Sequence, residues 1–303
     1  MYVRSLIKSH VRVLVYTLKT FFHKDKYIVL KATVKIFKGK MEHYNWGDDM
    51  NCYMVKMLSG KDVLLLPPPE SKLLHFFPLE SYLAIGSTVT IFSLDHTTVW
   101  GAGIINSNKI HQIKGKPSRI CAVRGPLTRK VLIEKGYDCP EVYGDPILLL
   151  SRFYQPKERE IKHEIGVIPH YIDKSQSIIR ELRTLGVKII DVQEYNHWSD
   201  FVDEICSCKY ILSSSLHGLI VAESYSVPSV WVGFSEYIDG WEFKFHDYYL
   251  SIHKAGAEML PLTKAEDVFS EFVTNQFLRW QKGEIDLDLL LSACPFYNNP
   301  NSK

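Results

Sequence analysis

The chain has no apolar run near the roughly 18 residues that a membrane-crossing helix needs, and no small-residue cleavage site follows an apolar core at its N-terminus. The expectation is a protein neither secreted nor integral to a membrane. Its six cysteines (Cys52, Cys121, Cys139, Cys206, Cys208 and Cys294) are scattered, with one Cys-x-Cys at 206–208, so neither a disulfide framework nor a zinc spacing is present. A reducing, cytoplasmic compartment fits that usage. Internal repeats and low-complexity tracts are also missing. Gly101 and Gly103 lack the third glycine of a dinucleotide fingerprint, and there is no Gly-Lys-Ser/Thr phosphate loop, so no nucleotide cofactor is indicated. No nucleic-acid partner is expected either. What remains is a chain of 303 residues, 46% hydrophobic and 23% charged, which is ordinary for one large or two average soluble domains.

The net charge of +2 conceals an asymmetry. Residues 1–40 hold ten Lys or Arg against Asp25 alone, a local charge of +9 that leaves −7 for the rest. Within that segment Val3, Leu6, Ile7, Val11, Leu14, Leu18, Phe21 and Phe22 recur at about helical spacing, which predicts a basic amphipathic helix over residues 1–22. Such a helix suits the anionic inner face of a plasma membrane. An ordinary surface helix with a solvated basic side is the competing reading.

Downstream, strand-like and helix-like stretches alternate. In the first half, strands are predicted at Tyr27–Phe37, Val63–Leu66, Val89–Phe92 and Ile120–Val123, with helices at Asp48–Leu58 and Pro126–Lys135. The polar stretch ending near 160 reads as a linker. Beyond it come a strand at His163–Pro169, a helix at Lys174–Leu185, a strand at Val187–Val192, a helix at Ser199–Ser207 and a strand at Tyr210–Ser213. Ser213, Ser214 and Ser215 then stand ready to cap a helix carrying His217 and Gly218, stopped by Pro228 before a strand at Val230–Phe234. The predicted fold is α/β, two Rossmann-like domains with parallel sheets facing a cleft, residues 1–155 and 156–303.

In that architecture ligands sit beyond the carboxyl ends of the strands. The motifs that fall there are NWGDDMN at 45–51, VWGAGI at 99–104, RGPLTRKVLIEKG at 124–136, YGDPILLL at 143–150, IPHYID at 168–173 and SSSLHGLIVAESYSVP at 213–228, and FKFHDYYLS follows at 243–251. A helix N-terminus with an imidazole at 217 favours an anion. Arg124 offers a bidentate fork and Lys244 a point charge. Asp48 and Asp49 start a helix, where carboxylates are also at home for structural reasons. Asp286 and Asp288 have a metal-like spacing but lie in an apolar helical run, and no metal is expected.

Taken in order, from about Ile36 to Ser251, these motifs resemble the polysaccharide pyruvyl transferase family. The resemblance implies a fold similar to GT-B glycosyltransferases. It also implies transfer of a pyruvyl group from phosphoenolpyruvate to two hydroxyls of a sugar, forming a cyclic ketal, in bacterial capsule or exopolysaccharide synthesis. Ser215 stands where many relatives carry arginine. The chemistry needs cationic and N–H donors for a carboxylate and a phosphate, which assigns Arg124, Ser214, Ser215, Gly218 and Lys244 to the donor. His217 is the expected general acid. Asp48 and Asp49 would repel the trianionic donor, so one serves as base or hydroxyl acceptor on the sugar side, alongside Asn45, Trp46, Gly47, Trp100, Gly101 and His170. The N-terminal half is then the acceptor side and the C-terminal half the donor side. Expected partners are phosphoenolpyruvate, a sugar that can be polyprenyl-linked, and an anionic membrane surface; no cofactor is expected. Two alternatives stay open: a GT-B glycosyltransferase using a nucleotide sugar, and a non-catalytic polysaccharide assembly protein at the membrane surface.

Overall fold

The structure, a computed structural model, describes residues 2–37, 40–156, 160–234 and 242–298. Helix α1 (Tyr2–Phe22) precedes strand β1 (Tyr27–Lys31), the hairpin strands β2 (Lys35–Phe37) and β3 (Lys40–Glu42), helix α2 (Trp46–Ser59) and strand β4 (Asp62–Leu66). Strands β5 (Ser81–Leu83), β6 (Thr97–Trp100) and β7 (Arg119–Ala122) then lead into helix α3 (Pro126–Glu134). The second half runs β8 (His163–Ile168), α4 (Ser177–Thr184), β9 (Lys188–Ile189), α5 (Trp198–Cys206), β10 (Cys208–Ser213), α6 (Leu216–Ser224) and β11 (Ser229–Gly233). It closes with α7 (Glu242–Ser251), β12 (Leu260–Pro261), α8 (Glu271–Leu278) and α9 (Leu287–Ser292). The predicted α/β architecture is present as two five-stranded parallel sheets, ordered β4-β1-β5-β6-β7 and β12-β11-β10-β8-β9.

Several local expectations need correction. Val89–Phe92 is a turn: the N–H groups of Ile91 and Phe92 both return to the Thr88 carbonyl, at 2.9 and 3.3 Å, so Val89 and Phe92 are buried, Ile91 is exposed, and the run joins no sheet. The long predicted strand at Tyr27–Phe37 breaks after Lys31. Its partner register ends there, Lys31 opposite Leu66, because three prolines follow Leu66 and cannot donate to a ladder. Strands β5 and β6 were missed, being only three and four residues long. Pro126 at the start of α3 and Gly136 beyond its end, at φ 83°, do punctuate that helix as predicted.

The halves share one core. Trp46 lies fully buried with its indole N–H donating to the Trp198 carbonyl at 2.8 Å and its ring stacked on Phe201, while its backbone N–H reaches the Val192 carbonyl at 2.8 Å. The last segment returns to the first half. Trp100 donates to the Leu290 carbonyl at 2.9 Å and meets Phe296 edge-on, and Asn298 donates to the Leu58 carbonyl at 3.0 Å. Of the acidic pair near the end of the chain, Asp286 caps α9 through Leu289 N–H at 2.8 Å and Asp288 pairs with Arg152 at 2.6 Å.

Arg124, which follows β7, and Asp247, on α7, form an ion pair at 3.1 Å with neither side chain exposed. Asp247 also accepts Thr128 N–H at 2.9 Å and the Thr128 hydroxyl at 2.7 Å, which fixes α7 against the start of α3. Removing one partner of such a pair leaves an uncompensated buried charge. Asp247→Ala is therefore expected to lower stability by about 3 to 5 kcal/mol, and Arg124→Met in the same chain to recover part of the loss. Urea unfolding midpoints of the single and double variants check this.

Candidate active site

Four of the seven predicted motifs, those at 45–51, 168–173, 213–228 and 243–251, converge on a cavity of about 260 Å³ between the carboxyl ends of the two sheets. The first half contributes Thr33 and Lys35 from the segment after β1, Asn45 and Asp48 at the start of α2, and Ser87 and Thr88 after β5. The second half contributes His170 and Tyr171 after β8, Ser215 and His217 at the start of α6, and Lys244 on α7. Chain crossing points at strand ends, as in other open parallel sheets, thus bring four of the expected polar or charged groups face to face: Asp48, His170, His217 and Lys244.

Their environment sets their charge. Burial drives His217 down to about 3, reinforced by the positive charges of Lys244 and Arg124, so its imidazole is neutral near pH 7. His170 is also pushed down to about 3, first by burial and then by Lys244 and His217. Burial lowers Lys244 to about 7, with Arg124 adding to the fall and Asp48 and Asp173 opposing it. Asp48 is raised to about 6, chiefly by burial, against a hydrogen bond from Thr33 and the charge of Lys244. Two groups that titrate near neutrality thus sit on opposite walls of one cavity.

The two aspartates of α2 separate. Asp48 lines the cavity, whereas Asp49 is buried and its Oδ2 takes the Tyr195 hydroxyl and shares a hydrogen bond with His43 Nδ1 at 3.1 Å. Asp49 therefore braces the junction of the halves. Asn45 lines the cavity and also caps α2, its Oδ1 accepting Gly47 N–H at 3.2 Å. Gly47 is where the two motif sets meet: a Cβ there would stand 1.8 Å from His217 Nδ1, so only glycine lets the imidazole lie against α2.

Other expected residues lie behind the cavity wall. Arg124 is fully buried and does not present an open fork. Its Nε donates to Asp247 at 3.1 Å, one terminal nitrogen to the Ser87 hydroxyl at 2.7 Å and the other to the Ile104 carbonyl at 2.6 Å, so Ser87 stands between it and the cavity. Ser214 is a brace, donating to Asp173 at 2.8 Å while accepting His170 N–H at 2.8 Å. Gly218 is a packing glycine, since a Cβ would meet Ser213 Oγ at 2.5 Å. Gly101 is another, with φ 87° and Pro146 Cδ 2.3 Å from the place of a Cβ. Trp46 and Trp100 are core residues, their indoles satisfied by backbone carbonyls, and offer no face to a sugar.

The expected serine cap of α6 is also different. Ser215 occupies the cap position without a side-chain bond to the helix; Ser213 instead donates to the Ser215 carbonyl at 2.8 Å and accepts its N–H at 3.0 Å. The first turn of α6 is thus left without a side-chain cap beside the cavity. Sequence reasoning missed Lys35, Tyr44 and Tyr171. Lys35 Nζ lies 3.5 Å from the Tyr44 ring centroid, and the Tyr44 and Tyr171 rings are 5.0 Å apart. Tyr44 adjoins the Asn45 motif and Tyr171 adjoins His170; position next to a motif was the available signal.

A family model described as polysaccharide pyruvyl transferase matches residues 7–236, most of the chain. The chain belongs to this family. The match takes in the cavity-lining residues of both sheets apart from Lys244. A similar protein, described as uncharacterized, occurs in Acanthamoeba polyphaga mimivirus; it is 31% identical over 216 residues, covering 67% of this chain and 69% of the relative. Family membership supports a pyruvyltransferase role in polysaccharide biosynthesis. The cavity holds cationic and imidazole groups, which favour an anionic ligand.

Lys244 supplies a pH signature. A bound anion favours the ammonium, so affinity falls as pH rises from the free-site value of about 7 toward the higher value of the complex. An anion of fixed charge held beside Lys244 is expected to bind more weakly by up to about tenfold per pH unit across that window. Lys244→Met should bind it poorly and without that slope. Titration calorimetry between pH 6.5 and 9 measures both.

Proposed function

We propose that this protein transfers a pyruvyl group from phosphoenolpyruvate to two hydroxyls of a saccharide, forming a cyclic ketal. The single observation that carries the reading is the meeting of Asp48, His217 and Lys244 around one cavity at the carboxyl ends of both sheets. Lys244, Lys35 and the uncapped first turn of α6 favour the carboxylate and phosphate of the donor. Arg124 contributes its charge from behind Ser87. Tyr44 and Tyr171 offer the apolar faces on which a sugar ring stacks.

In the proposed reaction Asp48 accepts the proton of one sugar hydroxyl as its oxygen bonds to the central donor carbon, and His217 delivers a proton to the donor methylene. The carbon–oxygen bond to phosphate then breaks, the second hydroxyl closes the ketal, and its proton leaves with the phosphate. One hydroxyl proton thus ends, net, in the new methyl group and the other on phosphate. No nucleotide or metal enters this balance.

Incubating the protein with phosphoenolpyruvate and a panel of aryl or lipid-linked galactosides, glucosides and mannosamines is expected to release phosphate. The acceptor mass should rise by that of a pyruvyl ketal. His217→Ala, still folded, should lose at least about 100-fold in turnover. Activity restricted to a nucleotide sugar, or turnover unchanged in the His217 variant, would overturn the reading.

The basic N-terminal helix supports a place of work at an anionic lipid surface. One side of α1 is docked: Val13 is fully buried against Val29, Leu64, Leu66 and Leu79. The other side leaves Leu18, Phe21 and Phe22 exposed at 59%, 80% and 68%, with Lys19, Lys24 and Lys26 exposed nearby. Each such cation adds about 1 kcal/mol of attraction near anionic lipid, and the two phenylalanines insert into the interface. Deleting the helix would uncover the Val13 contact, so point substitutions are the cleaner probe. The full chain is expected to sediment with phosphatidylserine-containing vesicles, less so at high salt. The Leu18→Ser, Phe21→Ser, Phe22→Ser variant should stay in solution; equal sedimentation of both would exclude α1 as the contact. Among the described residues no helix is long and apolar enough to cross a membrane.

A further inference from the structure

Behind His217 lies a group that the reaction above leaves unused. Asp145 follows Gly144 at the end of the first half and is fully buried. Its Oδ1 accepts Ile147 N–H at 3.0 Å, while its Oδ2 is enclosed without a well-formed hydrogen bond; the Gly86 N–H and the Arg124 charge also act on the carboxylate. His217 Nε2 is enclosed without a hydrogen bond, and the two atoms face each other at 3.9 Å. That gap is too short for an intervening water and about 1 Å longer than a charge-assisted hydrogen bond, so a small side-chain rotation closes it. On the other side of the ring, Nδ1 lies against Gly47 at the wall where Asn45 and Asp48 enter the cavity.

We propose that Asp145 is a positioning residue for His217: its carboxylate takes the Nε2–H, fixes that tautomer, and leaves Nδ1 as the nitrogen that handles the substrate proton. The other charged or titratable groups around the imidazole are Asp48 on α2, Lys244 on α7, Arg124 after β7 and His170 after β8, and the two cations oppose its protonation. Among the described residues Asp145 is the acidic group within ion-pair reach of it. A general acid must hold a proton before giving it away. The donor's negative charge and the Asp145 carboxylate together restore that capacity in the filled site, and after Nδ1 has delivered its proton the neutral ring still has Nε2–H on Asp145.

This inference rests on the reading of His217 as the proton donor, and its test separates the two. Histidine-selective ¹⁵N labelling of the ligand-free full chain, with the His217 signals assigned by loss in His217→Gln, reports the tautomer without any turnover. In the unmodified chain His217 is expected to be neutral with Nε2 protonated. Asp145→Asn keeps an oxygen for Ile147 N–H and turns its amide toward Nε2, which then accepts, so the proton moves to Nδ1. An Nδ1–H tautomer in the unmodified chain would overturn the proposal, and that spectrum decides even if the variant does not fold. So would an unchanged tautomer in a folded Asp145→Asn. In the transfer assay Asp145→Asn should lower kcat by about 100-fold or more with KM for phosphoenolpyruvate within about twofold; a change in KM alone would overturn it as well. Should the chain transfer no pyruvyl group, the proposed function fails while the tautomer still answers for Asp145.

Discussion

The buried Arg124–Asp247 pair is the constraint on which the rest depends. Arg124 leaves the last strand of the first sheet, and Asp247 sits on a helix of the second half that also grips Thr128 at the start of α3. Lys244 lies three residues before Asp247 and so shares its side of α7. Pinning Asp247 therefore aims Lys244 into the cavity. Because the pair is dehydrated, each member is destabilising without the other.

A second consequence follows from the crowding of positive charge. Arg124 and Lys244 both depress His217, and burial depresses His217, His170 and Lys244 alike. A cavity of this kind favours a negatively charged occupant, which offsets the cost of charging each of these groups. Asp48 and Asp145, both raised to about 6 chiefly by burial, are the acidic counterparts on either side of the imidazole. Stability and the charge character of the cavity thus come from one electrostatic arrangement.

The glycines of the motifs act mostly by what they exclude. Gly47 leaves room for the His217 ring, Gly103 for the Arg124 guanidinium and Gly125 for the Asp247 carbonyl, each at a separation that no Cβ tolerates. These contacts join parts of the chain far apart in sequence. Spacing along the chain carries no trace of them.

The sequence by itself determined the alternation of strands and helices, hence the parallel sheets, and through that the strand ends at which ligands gather; Asn45, Asp48, His170, Ser215 and His217 were legible for this reason, and Lys244 through the motif at 243–251. It also determined the basic, amphipathic first helix, since periodicity and charge are local properties. Tertiary structure alone decided which motif residues face the cavity. Two tryptophans, Asp49, Ser214 and Arg124 belong to the same set of motifs but turn toward the core, because each finds there a carbonyl, hydroxyl, carboxylate or opposite charge supplied by a distant segment. Tyr44 and Tyr171 took the places expected of the tryptophans, and Asp145 came within reach of His217, only when the halves packed together. A side chain's partner across the fold fixes its orientation, and that partner is not encoded in the neighbouring residues.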